Sequence, residues 1–225
     1  MTTFCTTFES PVGPLLLMSD GQSLTGLHTD SDKHRPAMRP DWVRDDAAAP
    51  FEEVKAQLRA YFDGRLTEFD LPLAPQGTEF QMRVWRELRG IPYGETISYA
   101  ELARRIGRPQ ASRAVGHANA RNPISIIVPC HRVIGADNSL TGYAGGLERK
   151  RMLLAHEAEN AGTRDEGTEE STAARPRDVR PAPLSWQGVT KARGAISGAH
   201  APAFVPRSGF NELARRLAVV LPASQ

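Results

Sequence analysis

Two prolines bracket the segment that most limits how this chain can fold. Between Pro123 and Pro129 runs Ile124-Ser-Ile-Ile-Val128, and Cys130-His131-Arg132 follows at once. So apolar a run belongs in a core. Pro129 supplies no backbone N–H and stops the run from continuing as a helix or central strand. The chain must therefore deliver a thiol and an imidazole, side by side and rigidly, at the end of a buried segment. The thiolate is the reactive form of cysteine, and an adjacent imidazole lowers the barrier to forming it. A Cys-His pair also fits a buried cysteine acting as a small hydrophobe, so the rest of the chain decides.

Charge separates the sequence into unlike parts. Through Pro75 there are seven Lys/Arg against twelve Asp/Glu, while from Gln76 to Glu157 there are twelve against seven. The second part carries the sign expected of a surface facing nucleic acid, although basic side chains also solvate ordinary helix faces. Cys5 and Cys130 are the two cysteines, with no Cys-x-x-Cys. That argues against a disulfide framework and a cysteine-based structural zinc site, and Cys5 reads as packing in a strand. No apolar run is long enough to span a bilayer and no N-terminal leader pattern is present, so the expected location is cytoplasmic, on the nucleoid in a bacterium. No glycine fingerprint for a nucleotide occurs, and neither a cofactor nor a metal is implied.

The order of elements predicts an α+β fold. Residues 2–8, 14–19 and 24–27 read as a small antiparallel meander turned by Pro11-Val-Gly-Pro14 and Ser19-Asp-Gly21. Pro50 opens a helix with Phe51, Val54, Leu58 and Phe62 on one face, closed by Gly64. Leu66 to Leu73 is a candidate strand. Thr78 caps the next helix, carrying Phe80, Val84, Trp85 and Leu88. Ser98-Tyr-Ala-Glu101 is a capping box for a short helix ending at Gly107. After Arg108-Pro109, residues 110–119 form a second short helix rich in small residues (Ala111, Ser112, Ala114, Gly116, Ala118) with one long cation, Arg113. Two short helices about a glycine turn make a helix-turn-helix, and the slim second helix can lie close to a nucleic-acid backbone. Gly142-Tyr-Ala-Gly-Gly146 is a flexible loop before a last helix from Leu147 to about Glu157. Beyond it, residues 158–205 lack any apolar period and read as disordered. Residues 211–220 could form a short amphipathic helix with Leu213, Leu217 and Val220.

Six motifs occur together and in order: Ile-Pro-Tyr-Gly-Glu-Thr-Ile-Ser-Tyr (91–99), Ser-Arg-Ala-Val-Gly (112–116), Arg-Asn-Pro (121–123), Pro-Cys-His-Arg-Val (129–133), Gly-Tyr-Ala-Gly-Gly (142–146) and Leu-Leu-Ala-His-Glu (153–157). This combination resembles the O6-alkylguanine-DNA alkyltransferases, the methylated-DNA–protein-cysteine methyltransferases. The resemblance is dense from Phe80 to Glu157 and looser before Pro75. It implies a ribonuclease-H-like domain over residues 1–75, a winged-helix-like DNA-binding alkyltransferase domain over 76–159, and a tail over 160–225 outside the family.

The resemblance also implies roles. Cys130 would attack the alkyl carbon on O6 of guanine, and on O4 of thymine. His131 would take the thiol proton through a water, oriented by Glu157, with the logic of a triad. In its place at the helix end, Glu157 would otherwise read as a solvated last-turn carboxylate. Asn122 would hold the turn before the nucleophile. Tyr99 would press the 3′ phosphate and protonate the guanine leaving group at N3. Arg113 would enter the base stack from the minor groove, helped by Ser112, Ala114 and Arg121 along the backbone, and replace the extruded base. Pro129, Val133, Tyr143, Ala144 and Gly145 would line the base pocket. Some relatives carry Ser where Ala144 stands, so a hydroxyl contact to the base is missing and backbone N–H groups would replace it. Each molecule, a monomer on duplex DNA, would act once, because nothing here removes an alkyl group from sulfur. A relay of this kind favours a thiolate below the ordinary thiol pKa of about 8.5 while desolvation opposes it, so the sequence does not fix the net sign. Three other readings compete. A Cys-His hydrolase would want an oxyanion hole that supports turnover, and burst-only kinetics separates it. A non-repairing recogniser of alkylated DNA would lack the cysteine, and a regulator would need a recognition helix with more base-reading side chains than the one around Arg113 offers.

Overall fold

The computed structural model describes residues 2–165, with side chains through Ala161. The tail and its candidate helix at 211–220 lie outside the described residues.

Three strands, β1 (Phe4–Phe8), β2 (Leu15–Ser19) and β3 (Leu24–Thr29), form the expected antiparallel meander, and β4 (Val43–Arg44) adds a short parallel edge beside β1. That edge lies in the polar connection, where two exposed residues leave no alternating pattern to read. The candidate strand at Leu66 to Leu73 reduces to a single bridge from Leu73 to Leu24. Helix α1 (Phe51–Phe62) packs one face inward through Phe51, Val54, Leu58 and Tyr61. The last position of that face is Tyr61, three residues on from Leu58, whereas Phe62 is only partly buried.

The second half is helical. Helix α2 (Glu79–Leu88) begins with a full capping box, Thr78 and Gln81 bonding each other's backbone N–H. Strand β5 (Ile97–Ser98) leads directly into α3 (Tyr99–Arg105), and α4 (Ser112–Ala120) follows across Gly107. The predicted capping box at Ser98 is half formed. Ser98 Oγ accepts from Glu101 N at 3.1 Å, but Glu101 turns its carboxylate to Arg104 and Arg105. Trp85, fully buried in α2, donates its indole N–H to Ala118 O at 2.8 Å and so fixes α4 against α2.

Residues 123–134 join the two halves. Leu27 of β3 donates to Pro123 O at 2.8 Å and accepts from Ser125 N at 3.0 Å, so the apolar run docks on the free edge of the N-terminal sheet. Ile124, Ile126 and Val128 are fully buried. Ile126 adopts φ of 71°, a left-handed conformation uncommon for a β-branched residue, inside a tight series of turns. Cys130–Arg132 form one 3-10 turn, and β6 (Val133–Ile134) pairs in parallel with β5. That pairing sets Ile97 opposite Val133, and so brings Tyr99 alongside the cysteine turn. Helix α5 (Leu147–Asp165) runs well past its expected end. None of the described helices is long and apolar enough to cross a membrane.

Candidate active site

Cys130 sits at the start of the 3-10 turn and is 4% exposed. Asn122 builds its surroundings. The side-chain amide N–H₂ donates to Val128 O at 2.8 Å and to Ile124 O at 3.3 Å, and lies 3.1 Å from Cys130 Sγ, while its Oδ1 accepts from Ile124 N at 3.0 Å. Asn119, from the end of α4, donates to Cys130 O at 3.2 Å. One turn is thus held by two asparagines, one on each side of Arg121.

Burial pushes the Cys130 thiol up to about 11, against the pull of Asn122 and of Lys150. The sign that the sequence left open is thus upward. At so buried a sulfur desolvation outweighs the nearby donors, and the resting thiol keeps its proton.

His131 and Glu157 meet in the interior, both fully buried, with His131 Nε2 2.9 Å from Glu157 Oε1. Glu157 is not a last-turn carboxylate. It lies in mid-helix, because α5 continues to Asp165, and it points at the cysteine turn. Arg132 forms a fork on it, Nε to Oε2 at 2.8 Å and Nη2 to Oε1 at 2.9 Å, and also donates to Ile91 O at 2.6 Å. Gly94 N and the Tyr61 hydroxyl complete the set at 3.1 and 2.8 Å. Burial alone would raise the Glu157 carboxyl, but His131 and Arg132 override it and hold it well below the usual carboxylate range.

Arg132 also explains the state of the imidazole. Burial lowers the pKa of His131 and Glu157 opposes that shift. A lone buried carboxylate would pull the ring toward imidazolium; one already neutralised by a forked guanidinium pulls less. The ring is neutral, Nε2–H donates to Glu157, and Nδ1 keeps its lone pair. Nδ1 is buried and has no hydrogen-bond partner among the described residues. A base with a free lone pair, one residue from a thiol, is what this arrangement supplies.

Tyr99 opens α3, and its hydroxyl donates to the carbonyls of Thr141 and Gly142 at 3.0 and 3.3 Å. Burial, then the nearby thiol, raise it to about 12, so it holds a proton to donate. Gly142 has φ of 64°, and a side chain there would lie 2.8 Å from the Tyr99 hydroxyl. Gly145 has a similar reason: a Cβ would meet Tyr143 at 2.9 Å and Thr29 Oγ1 at 3.0 Å. Tyr143, Gly145, Val133 and Pro129 are buried around the thiol side of this loop and Ala144 is half-buried. The N-terminal half clasps the same loop. Ser31 Oγ donates to Gly145 O at 3.1 Å, and Arg149 reaches Asp30 at 2.5 Å and Val12 O at 2.6 Å. Arg113 and Ala114 stand exposed on α4, Arg121 is exposed just beyond it, and Ser112 is partly covered.

Three residues escaped the sequence reading. Arg132 lies inside the Pro-Cys-His-Arg motif, and its place there was the available signal. Lys150 is fully buried and donates to Val133 O at 2.5 Å and Thr141 O at 2.7 Å, with its ammonium 5.8 Å from the Tyr99 ring centre. Nothing in a charged stretch such as Glu148-Arg-Lys-Arg151 marks one lysine as the buried one. Tyr61 escaped because the apolar spacing points to Phe62 as the last position of its helix face.

Known proteins resemble this chain over both of its halves. Residues 79–159 match the model of the 6-O-methylguanine DNA methyltransferase DNA binding domain, and residues 3–75 match that of the 6-O-methylguanine DNA methyltransferase ribonuclease-like domain. The chain belongs to the methylated-DNA–protein-cysteine methyltransferase family. The methylated-DNA–protein-cysteine methyltransferase of Methanosarcina acetivorans is 54% identical over 147 residues, 65% of this chain and 93% of that protein. The enzyme of the same name from Haemophilus influenzae is 48% identical over 74% of this chain and 91% of its own length. The crystal structure of Mycobacterium tuberculosis OGT in complex with DNA superposes with a TM-score of 0.65 at 51% identity, covering 71% of this chain and 94% of that one.

Proposed function

We propose that this protein repairs duplex DNA by moving an alkyl group from O6 of guanine, and from O4 of thymine, to Cys130. The observation that carries the reading is the buried series Cys130, His131, Glu157, in which a protonated thiol lies next to a neutral imidazole whose far nitrogen is held by an ionised carboxylate. The Cys130 proton passes to His131 Nδ1 through a water, sulfur displaces oxygen at the alkyl carbon, and the S–C bond forms as the O–C bond breaks. The departing guanine takes a proton at N3 from Tyr99. The product is a thioether, and the protein acts once.

The target base must leave the stack to reach so buried a sulfur. Helix α4 suits that task. Its exposed face is short-chained except for Arg113, which would fill the space of the extruded nucleotide from the minor groove while Ser112, Ala114 and Arg121 follow the backbone. Asn122 fixes the turn that carries the nucleophile. The loop from Tyr143 to Gly145, with Pro129 and Val133, forms the pocket for the base.

Intact mass after incubation with an O6-methylguanine duplex tests this directly. One methyl should appear on wild-type protein, map to Cys130, and be absent from Cys130→Ala while duplex binding remains, because the thiol makes no phosphate contact. A methyl on the Cys130→Ala protein would overturn the assignment. Cys5, 2% exposed in β1, should stay unmodified.

A further inference from the structure

Glu157 receives more donors than a carboxylate can serve equally. Oε1 faces the Tyr61 hydroxyl, His131 Nε2 and Arg132 Nη2, and Oε2 faces Arg132 Nε and Gly94 N. An ionised carboxylate offers about four lone-pair sites. Tyr61 and His131 therefore draw on the same oxygen. Of these donors, Tyr61 alone comes from the N-terminal half, 96 positions away on α1. We propose that Tyr61 is a positioning residue for alkyl transfer, its hydroxyl competing with His131 for Glu157 Oε1 and so keeping the imidazole a neutral proton acceptor. The proposal rests on the reading of His131 as the base for Cys130.

The geometry around Tyr61 is built to aim one hydroxyl. The side chain is fully buried. Its ring lies edge-on to Phe62 at 5.1 Å and to Tyr93 at 5.9 Å, and 5.2 Å from His156, while His156 Nε2 donates to its backbone carbonyl at 2.9 Å. With the ring packed on several sides, only the O–H torsion is free, and the ionised carboxylate requires that the phenol donate. The phenol stays protonated because burial and then Glu157 raise it well above its ordinary value.

The sign of its effect follows. Each donor on Oε1 draws electron density from that oxygen and weakens its hold on the others. Without the Tyr61 hydroxyl, the carboxylate binds the imidazolium form of His131 more strongly, and the ring becomes more basic. The other charged or titratable groups bearing on this cluster are Arg132, forked on the carboxylate and over the Tyr93 ring, Tyr93 itself, edge-on to Tyr61, Lys150, whose charge acts on His131, and His156 behind Tyr61. None of them changes when one hydroxyl is removed. A more basic ring is protonated over more of the acid range and cannot take the thiol proton there.

The test is the pH profile of the single-turnover rate in full-length protein, with methyl mapped to Cys130 in each variant. Tyr61→Phe keeps the ring and removes the hydroxyl, and should move the midpoint of the acid limb upward by about half a unit to one unit. A fluorinated tyrosine placed at position 61 keeps the hydroxyl as a stronger donor, and should move the midpoint downward. Opposite shifts in the two proteins support the proposal. An acid limb that stays in place in both, whether the rate is unchanged or uniformly reduced, means that Tyr61 only packs, and overturns it. If wild-type protein gains no methyl on Cys130, the functional reading fails before Tyr61 is in question.

Discussion

Asn122 places its side-chain amide 3.1 Å from the Sγ of Cys130 and, with the same group, bonds the Val128 carbonyl at 2.8 Å. One side chain thus fixes the turn and favours the charged form of sulfur, since its donor lowers a thiol pKa that burial raises. Asn122→Asp removes both at once, because the same amide bonds Val128 O and faces sulfur. The shape and the contact from Ile124 N are kept, but the donor to Val128 O is lost and the group facing sulfur becomes a negative charge. The thiol should become harder to ionise and the transfer rate should fall by about a hundredfold or more, with far-UV circular dichroism unchanged. A rate within a factor of about two of wild type would show that the amide is not needed to ionise the sulfur.

Arg113 should matter only when a base has to be extracted. It is exposed on α4. Arg113→Ala should slow repair of duplex O6-methylguanine by about a hundredfold, within the few kcal/mol that unstacking a base costs. Reaction with free O6-benzylguanine, which needs no extraction, should change little. Equal slowing on both substrates would remove Arg113 from base extrusion.

Lys150 ties β6, just after Cys130, to the loop that begins at Thr141. Burial lowers its ammonium to about 8 from an ordinary 10.5, opposed by the nearby thiol. The folded protein therefore releases this proton earlier than the unfolded chain does. Stability from this group rises as pH climbs from about 8 to 10.5 and is lost as pH falls back through 8. Urea unfolding of wild type should show that rise, and Lys150→Met should lack it. The variant should also transfer about tenfold more slowly, since the Val133 and Thr141 carbonyls lose a charged donor. Identical pH–stability curves for the two proteins would refute the assignment.

The local signals in the sequence carried much of this fold. The cap at Thr78, the N-cap half of the box at Ser98, the turn at Gly107 and the meander from Phe4 to Thr29 depend on neighbours within a few residues, and they formed where those residues predicted. The order of the motifs pointed to the cysteine turn, and the structure brings Cys130, His131, Glu157, Asn122 and Tyr99 to one place. What stayed hidden were contacts between distant positions. The β5–β6 pairing that sets Tyr99 beside the cysteine turn involves two residues on each side, too few for a pattern. Tyr61 differs from the apolar residues of its helix face by one oxygen, and that oxygen has meaning only once Glu157 is opposite. Lys150 is buried because two carbonyls converge on it, which no composition or period reveals. The direction of the Cys130 shift likewise needed the degree of burial, since desolvation and hydrogen bonding have opposite signs.

Glu157→Gln tests the centre of the cluster through both stability and rate. The carboxyl is held far below its ordinary value of 4.5 in the folded protein, so its contribution is present above that value and is lost as pH falls through and below it. Glutamine has no such dependence. At neutral pH the variant should be less stable by about 3 kcal/mol, because Arg132 becomes a buried cation without its counter-charge. That difference should narrow steadily as the pH drops below about 4.5 and wild type loses its advantage. The rate should respond separately. Without the carboxylate the imidazole holds a proton less well, so transfer near neutrality should fall and the alkaline rise, as hydroxide replaces the base, should shift toward the raised thiol value of about 11. His131→Ala should go further, since it removes the proton acceptor. Wild-type pH–rate profiles in both variants would mean that Cys130 reacts as an unassisted thiol, and that the His131–Glu157 pair serves the fold and not the chemistry.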